Sequence, residues 1–295
     1  MRTSLLFALK ALFGGGLLFL VASRIPLADS FSIVSTLNAD VLVTAVVLYF
    51  LAHGVSALKL QLFLPGVSLW QATRFTMIGL LYGFALPGQI SGDVVKAVRL
   101  ARASGDAGSA IAAVAVDRIV GLFALFLLMA LAIAVDPRAF STAMVAALAA
   151  CIVAAIAALG IVLFFPLPAW LGRFGVSVAG WRTLSITPLR LSNALALGLI
   201  FQALCVAICM VLGSHLNIDF PLAAWTVVVG FSGVALMAPV TVAGIGVREA
   251  SLVAAIGYLG GSEVGAFALS LVLFSLTLLG AGVGLVFDLA DRDRA

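Results

Sequence analysis

The chain has 295 residues, of which 64% are apolar and 9% charged, with a mean hydropathy of +1.28 and a formal net charge of +4. Soluble domains average about 45 to 50% apolar and about 25% charged residues, which excludes a soluble enzyme or a nucleic-acid-binding domain and leaves an integral membrane protein. No polar stretch is large enough to fold separately, so residues 1–295 read as a single membrane domain.

At the N-terminus, Arg2 and Lys10 precede an apolar run from Ala11 to Ala22. No small-x-small cleavage pattern closes that run, so it reads as a retained first span over 4–23, with Lys10 snorkelling toward the headgroups. A hydrocarbon core of about 30 Å needs roughly 20 apolar residues per crossing. Further stretches of that length lie at 41–64, 108–135, 141–165, 191–213 and 264–287, which makes six crossings. Two other apolar stretches, 75–86 and 222–238, run into Pro87 and Pro239 and emerge through glycine-containing turns into short helices. These read as re-entrant hairpins. The expected fold class is an all-α integral membrane protein with about six transmembrane helices and two oppositely oriented re-entrant hairpins.

The punctuation of the hairpins repeats. Pro87, Gly92 and Lys96 recur at the same spacing as Pro239, Gly244 and Arg248, 152 residues further on. Matched interruptions of two apolar runs are the pattern of an internal repeat whose broken helices surround a central site. If each hairpin leaves on the side it enters, twelve of the sixteen Lys and Arg residues, Lys59 among them, fall on one side of the membrane. Arg24, Arg138 and Arg248 fall on the other side, and Arg118 lies within a span. The basic side, which also holds both termini, is then cytoplasmic. The first hairpin enters from the cytoplasm and the second from outside, giving inverted units over 41–135 and 191–287. The tips, with Pro87, Gly92, Pro239, Gly244 and Gly246, meet near the midplane.

Asp117 and Arg118 sit about ten residues into the third span, near mid-bilayer. A charge there costs about 2.5 to 3.5 kcal/mol even on the lenient insertion scale. Adjacent helical residues point about 100° apart, so each of the two needs a partner elsewhere. The hairpins offer Asp93 and Lys96 from the first, and Arg248 and Glu249 from the second. One reading is a set of ion pairs that locks the hairpins to the bundle. The other is a positive site for phosphate at Lys96, Arg118 and Arg248, with Asp93, Asp117 and Glu249 holding those bases when the site is empty and one of the acids available to carry a coupling proton. Helix ends at the tips would also present backbone N–H groups to an anionic headgroup.

The remaining features read as structural. Cys151, Cys205 and Cys209 are small apolar residues of helix packing. His53 lies in the second span and His215 in an external loop, and neither belongs to a metal-ligand cluster. Gly14 to Gly16 and the run from Gly280 to Gly284 form small-residue faces for helix packing.

Three segments carry a resemblance: LPGQISGDVVKAVRL at 86–100, AVDRIVGL at 115–122 and APVTVAGIGVREASLV at 238–253. Together they resemble the lysylphosphatidylglycerol synthase membrane-domain family, also called flippase-like proteins, over essentially the whole chain. The resemblance implies a polytopic protein of the bacterial inner membrane that moves or presents lipids, among them aminoacylated phosphatidylglycerol and isoprenoid or hopanoid-linked lipids. It highlights Pro87, Gly92, Asp93 and Lys96, then Asp117 and Arg118, then Pro239, Gly244, Gly246, Arg248 and Glu249. Two positions depart from the family pattern: Ser91 stands where a second Gly is common, and Lys96 where Arg is common. Lys still pairs with phosphate but lacks the bidentate fork.

The expectation is therefore a lipid translocase for a phosphate-bearing headgroup, with neither cofactor nor metal and no enzymatic activity of its own. The chain ends at Ala295 just after the last span, with no synthase domain, and it carries no P-loop pattern for ATP hydrolysis. The alternatives are an integral membrane enzyme acting on a polyprenyl-phosphate or phospholipid, with Asp93 or Glu249 as general base, and an accessory subunit of a lipid-modifying enzyme. Expected partners are the lipid and the bilayer, with a lipid-synthesising enzyme or a second copy of the chain as protein partners, and no nucleic acid.

Overall fold

Where lipid replaces water, a backbone N–H or C=O has no partner outside the chain, so an apolar sequence folds as helix. The computed structural model describes residues 2–86, 90–137, 186–237 and 241–292, with nine positions between 141 and 157. Among the described residues there are ten helices and no strand. In chain order they are α1 (Arg2–Ala22), α2 (Leu27–Ser35), α3 (Ala39–Gln61), α4 (Leu69–Ala85), α5 (Ile90–Ser104), α6 (Ala107–Val135), α7 (Pro188–Gly213), α8 (Leu222–Met237), α9 (Val247–Tyr258) and α10 (Glu263–Arg292).

Four of these, α3, α6, α7 and α10, are long and apolar enough to cross a membrane. Residues 10–22 of α1 together with α2 satisfy the same test as a pair, but the pair is bent by 86°. The sequence reading placed one span over 4–23 and foresaw no helix at 27–35; the chain turns sharply at Pro26, whose ring fixes φ and permits a new helix to start behind it. The expected crossing at 141–165 falls largely outside the described residues, as do the turn residues Pro87 and Pro239.

Local chemistry sets the helix starts. Ser68 opens α4 with a capping box: its Oγ accepts from the Gln71 N–H at 3.2 Å, and Gln71 Oε1 accepts from the Ser68 N–H at 3.0 Å. Asp106 opens α6 by accepting from the N–H groups of Gly108 and Ser109. Thr187 caps α7, with Pro188 at the first helical position. Such caps are each worth about 1 kcal/mol, and here they mark where polar loops give way to apolar rods.

Of three buried apolar clusters among the described residues, two span most of the bundle. One joins Val41, Ala45 and Tyr49 of α3 to Leu212 of α7, Trp225 of α8, Ile256 of α9 and Leu269 of α10. The other joins Ala57 and Leu60 of α3 to Ile78 of α4, Leu100 of α5, Val116 of α6 and Ala194 of α7. The outer faces stay apolar too: Val43, Val47 and Leu51 of α3 are exposed, as are Leu131 and Val135 of α6. Outward apolar side chains at helical spacing are what a bilayer solvates.

Gly280 and Gly284 of α10 serve this packing within the bundle. A Cβ at Gly280 would meet the Tyr49 ring of α3, and one at Gly284 would overlap the Met77 carbonyl of α4.

Candidate functional site

A cavity of about 470 Å³ lies inside the bundle. Along α3 its lining runs from Tyr49 to Lys59, at the level between the two cores. Into it project Lys59, Asp93, Lys96, Asp117, Arg118 and Arg248. Five of those six were singled out from sequence, and they come from α5, α6 and α9.

The first charged group is centred on Asp93 at the start of α5. Its Oδ1 is 3.2 Å from Lys96 Nζ, one helical turn on. Its Oδ2 accepts from Arg118 Nε of α6 at 2.5 Å. One carboxylate is thus shared by two cations. Lys96 is buried, whereas the Arg118 side chain is 47% exposed, which places Arg118 at a mouth of the cavity.

Asp117 takes a partner from outside the hairpins. Lys59 of α3 reaches it with Nζ 3.2 Å from Oδ1, and also donates to the Asp117 backbone carbonyl at 3.1 Å. The sequence reading counted Lys59 among the charges of the cytoplasmic side and gave it no role in the site; the structure buries it, at 4% exposure. The physical reason is space. A Cβ at Gly121 would stand 3.0 Å from Lys59 Nζ, so a glycine one turn along from Asp117 admits the ammonium. What could have flagged Lys59 was its position within a predicted span opposite an acid that lacked a partner.

Arg248, in the first turn of α9, is buried at 6% exposure and lines the cavity. Its Nη2 donates to the Ala243 carbonyl at 3.3 Å, its guanidinium lies 5.5 Å from the Phe274 ring centre, and its Nη1 has no hydrogen-bond partner. No carboxylate lies within ion-pair reach of it among the described residues. Glu249, the next residue, is buried but turns away to accept from the Gly246 N–H at 2.6 Å. That carboxylate supplies an anion for the start of α9, the place the sequence reading offered to a headgroup.

The glycines predicted for the two turns have different roles. Ala243, Gly244 and Gly246 all have positive φ, of 54°, 73° and 85°. This left-handed path costs a non-glycine residue energy, and at Ala243 it aims the carbonyl that holds Arg248. Gly92, read as a turn residue, instead lies inside the first turn of α5. A Cβ there would overlap the Gly79 carbonyl and stand 3.0 Å from the Gly83 nitrogen, so glycine lets α5 touch the backbone of α4.

His53 and Gln202 are among the cavity residues not foreseen as site residues. His53 donates from Nδ1 to the Tyr49 carbonyl at 2.9 Å, the direction fixed because a carbonyl only accepts, and its ring lies 4.3 Å from the Tyr49 ring, tilted by 42°. Gln202 donates to the Gly121 carbonyl at 3.4 Å. Periodicity alone does not separate such inward polar residues of an apolar span from outward ones.

Beyond the cavity, the end of α10 is tied to the α4/α5 pair. Arg99 pairs with Asp288 and Asp291, Arg74 pairs with Asp291, and the Tyr82 hydroxyl donates to Asp288 at 3.2 Å. These charges balance one another, whereas the described residues of the cavity wall carry more cations than carboxylates.

The chain belongs to the family of the lysylphosphatidylglycerol synthase TM region, whose model matches residues 7–284. No curated protein and no solved structure matches it. The family description ties the chain to a membrane region associated with phospholipid handling.

Proposed function

We propose that this member of the family is a lipid translocase. The headgroup enters the cavity while the acyl or prenyl tails stay in the bilayer, and the phosphate meets Lys96, Arg118 and Arg248. The observation that carries this reading is a buried Arg248 with a free Nη1 and no carboxylate partner, facing a cavity inside an apolar bundle. A buried guanidinium left short of acceptors is costly, and a phosphate oxygen supplies what is missing, in a form that the Arg fork matches. The half-exposed Arg118 at the mouth supports entry from the side.

In this reading α4 with α5, and α8 with α9, are the re-entrant hairpins of an inverted repeat, and the site between them is exposed alternately to either leaflet. The protein is a multi-pass transporter of the bacterial inner membrane with cytoplasmic termini. It acts without chemistry of its own, and its energy comes from a gradient, the membrane potential or downhill exchange.

The test is headgroup translocation in proteoliposomes, followed by dithionite quenching of fluorescent phosphatidylglycerol and of a polyprenyl-phosphate analogue. Wild type should speed quenching of at least one lipid over empty vesicles, and Arg248→Ala should remove that gain. Wild-type protein that moves neither lipid would overturn the translocase reading.

A further inference from the structure

We infer that the cavity selects a headgroup of net negative charge and turns away an aminoacylated, net cationic one; this rests on the translocase reading above. Its walls carry four cations, Lys59, Lys96, Arg118 and Arg248, and two carboxylates, Asp93 and Asp117. Lys59 and Asp117 close on each other. Asp93 serves both Lys96 and Arg118, and among the described residues Arg248 has no carboxylate within ion-pair reach. Glu249 is the nearest acid in sequence, but it lies off the cavity wall on the Gly246 N–H. Counting it still leaves the cations in surplus.

A phosphodiester headgroup such as phosphatidylglycerol brings one negative charge, which the surplus at Lys96, Arg118 and Arg248 attracts. A lysyl ester of the same headgroup adds two ammonium groups and reverses the net sign. Those ammonium groups need acceptors, and both wall carboxylates are already bound to the chain's own cations. Like charges placed together without an intervening anion work against binding. Among the described residues the cavity has no third wall carboxylate to receive an ammonium, so the sign of its charge, more than its volume, sets the lipid class.

Isosteric substitution at Gln202 allows the idea to be tested by gain as well as loss. Gln202 lines the cavity, and Gln202→Glu adds an isosteric carboxylate to the wall. The experiment measures translocation of fluorescent phosphatidylglycerol in proteoliposomes against unlabelled phosphatidylglycerol, unlabelled lysyl-phosphatidylglycerol and inorganic phosphate as competitors.

Wild type should be inhibited by phosphatidylglycerol at concentrations at least about tenfold lower than by the lysyl ester. Gln202→Glu should narrow that ratio several-fold, and Arg248→Lys, which keeps the charge, should preserve it. Equal competition by the two lipids in wild type would overturn charge selection and leave the translocase reading standing. An unchanged ratio in Gln202→Glu would likewise overturn the assignment of selectivity to the wall charges. Competition by inorganic phosphate as strong as by phosphatidylglycerol would make free phosphate the ligand and overturn the lipid source. Failure of wild type to move phosphatidylglycerol at all would overturn the charge selection, and the translocase reading would fall with it only if the polyprenyl-phosphate analogue is not moved either.

Discussion

Lys59 and Asp117 form a buried pair across α3 and α6, with Nζ 3.2 Å from the carboxylate and 3.1 Å from the backbone carbonyl of the same residue. Two contacts to one residue fix α3 against α6 at the cavity wall. Taking away one member of a buried ion pair strands the other, at a cost of about 3 to 5 kcal/mol, whereas replacing both with apolar groups is often neutral. Lys59→Met and Asp117→Leu should each lower the unfolding temperature of the purified protein sharply, and the double variant should recover most of the loss. A double variant as unstable as the sum of the singles would show that the pair does not act as a unit.

Arg118 should behave in the opposite way. Its side chain is 47% exposed at the cavity mouth, so Arg118→Ala should leave thermal stability within about 1 kcal/mol of wild type while abolishing translocation. Retained transport in folded Arg118→Ala protein would remove Arg118 from the site.

The glycine contact between α4 and α5 gives a steric prediction. A methyl group at Gly92 would overlap the Gly79 carbonyl, whereas one at Gly282 would meet nothing within 4 Å. Gly92→Ala should cost about 1 to 3 kcal/mol, as overpacking does, and Gly282→Ala should change nothing measurable. Thermal melts of the two variants side by side check the contrast.

Labelling from each side tests the hairpins. In a cysteine-free background, cysteines introduced at Leu69 and Ser104 should both be reached by an impermeant reagent from one face of the membrane. Those at Leu222 and Leu259 should both be reached from the opposite face. Labelling of Leu69 and Ser104 positions from different faces would make α4 and α5 a full crossing and rule out re-entry.

The ends of the long helices were legible because lipid leaves the sequence little choice. Residues 41–64 were read as a span and α3 covers Ala39–Gln61; residues 108–135 were read and α6 covers Ala107–Val135. Asp93 was legible as a partner for Arg118 because a charge in mid-span must find one nearby. The partner of Asp117 was not, since Lys59 depends on the gap at Gly121, a property of two packed helices and not of either sequence. The roles of Arg248 and Glu249 parted for a similar reason. They are adjacent in the chain, yet the positive φ values at Gly244 and Gly246 send one side chain into the cavity and the other back onto its own helix start.

At its C-terminal end α10 is bolted to the α4/α5 pair through Asp288 and Asp291, and at its start Glu263 lies beside Gly257 of α9. With 30 residues it is about 45 Å long. A helix whose backbone bonds are all closed transmits displacement along its axis without shortening. Residues 263–292 are therefore one stiff rod whose two ends are held by different helices, the α4/α5 pair at one and α9 at the other.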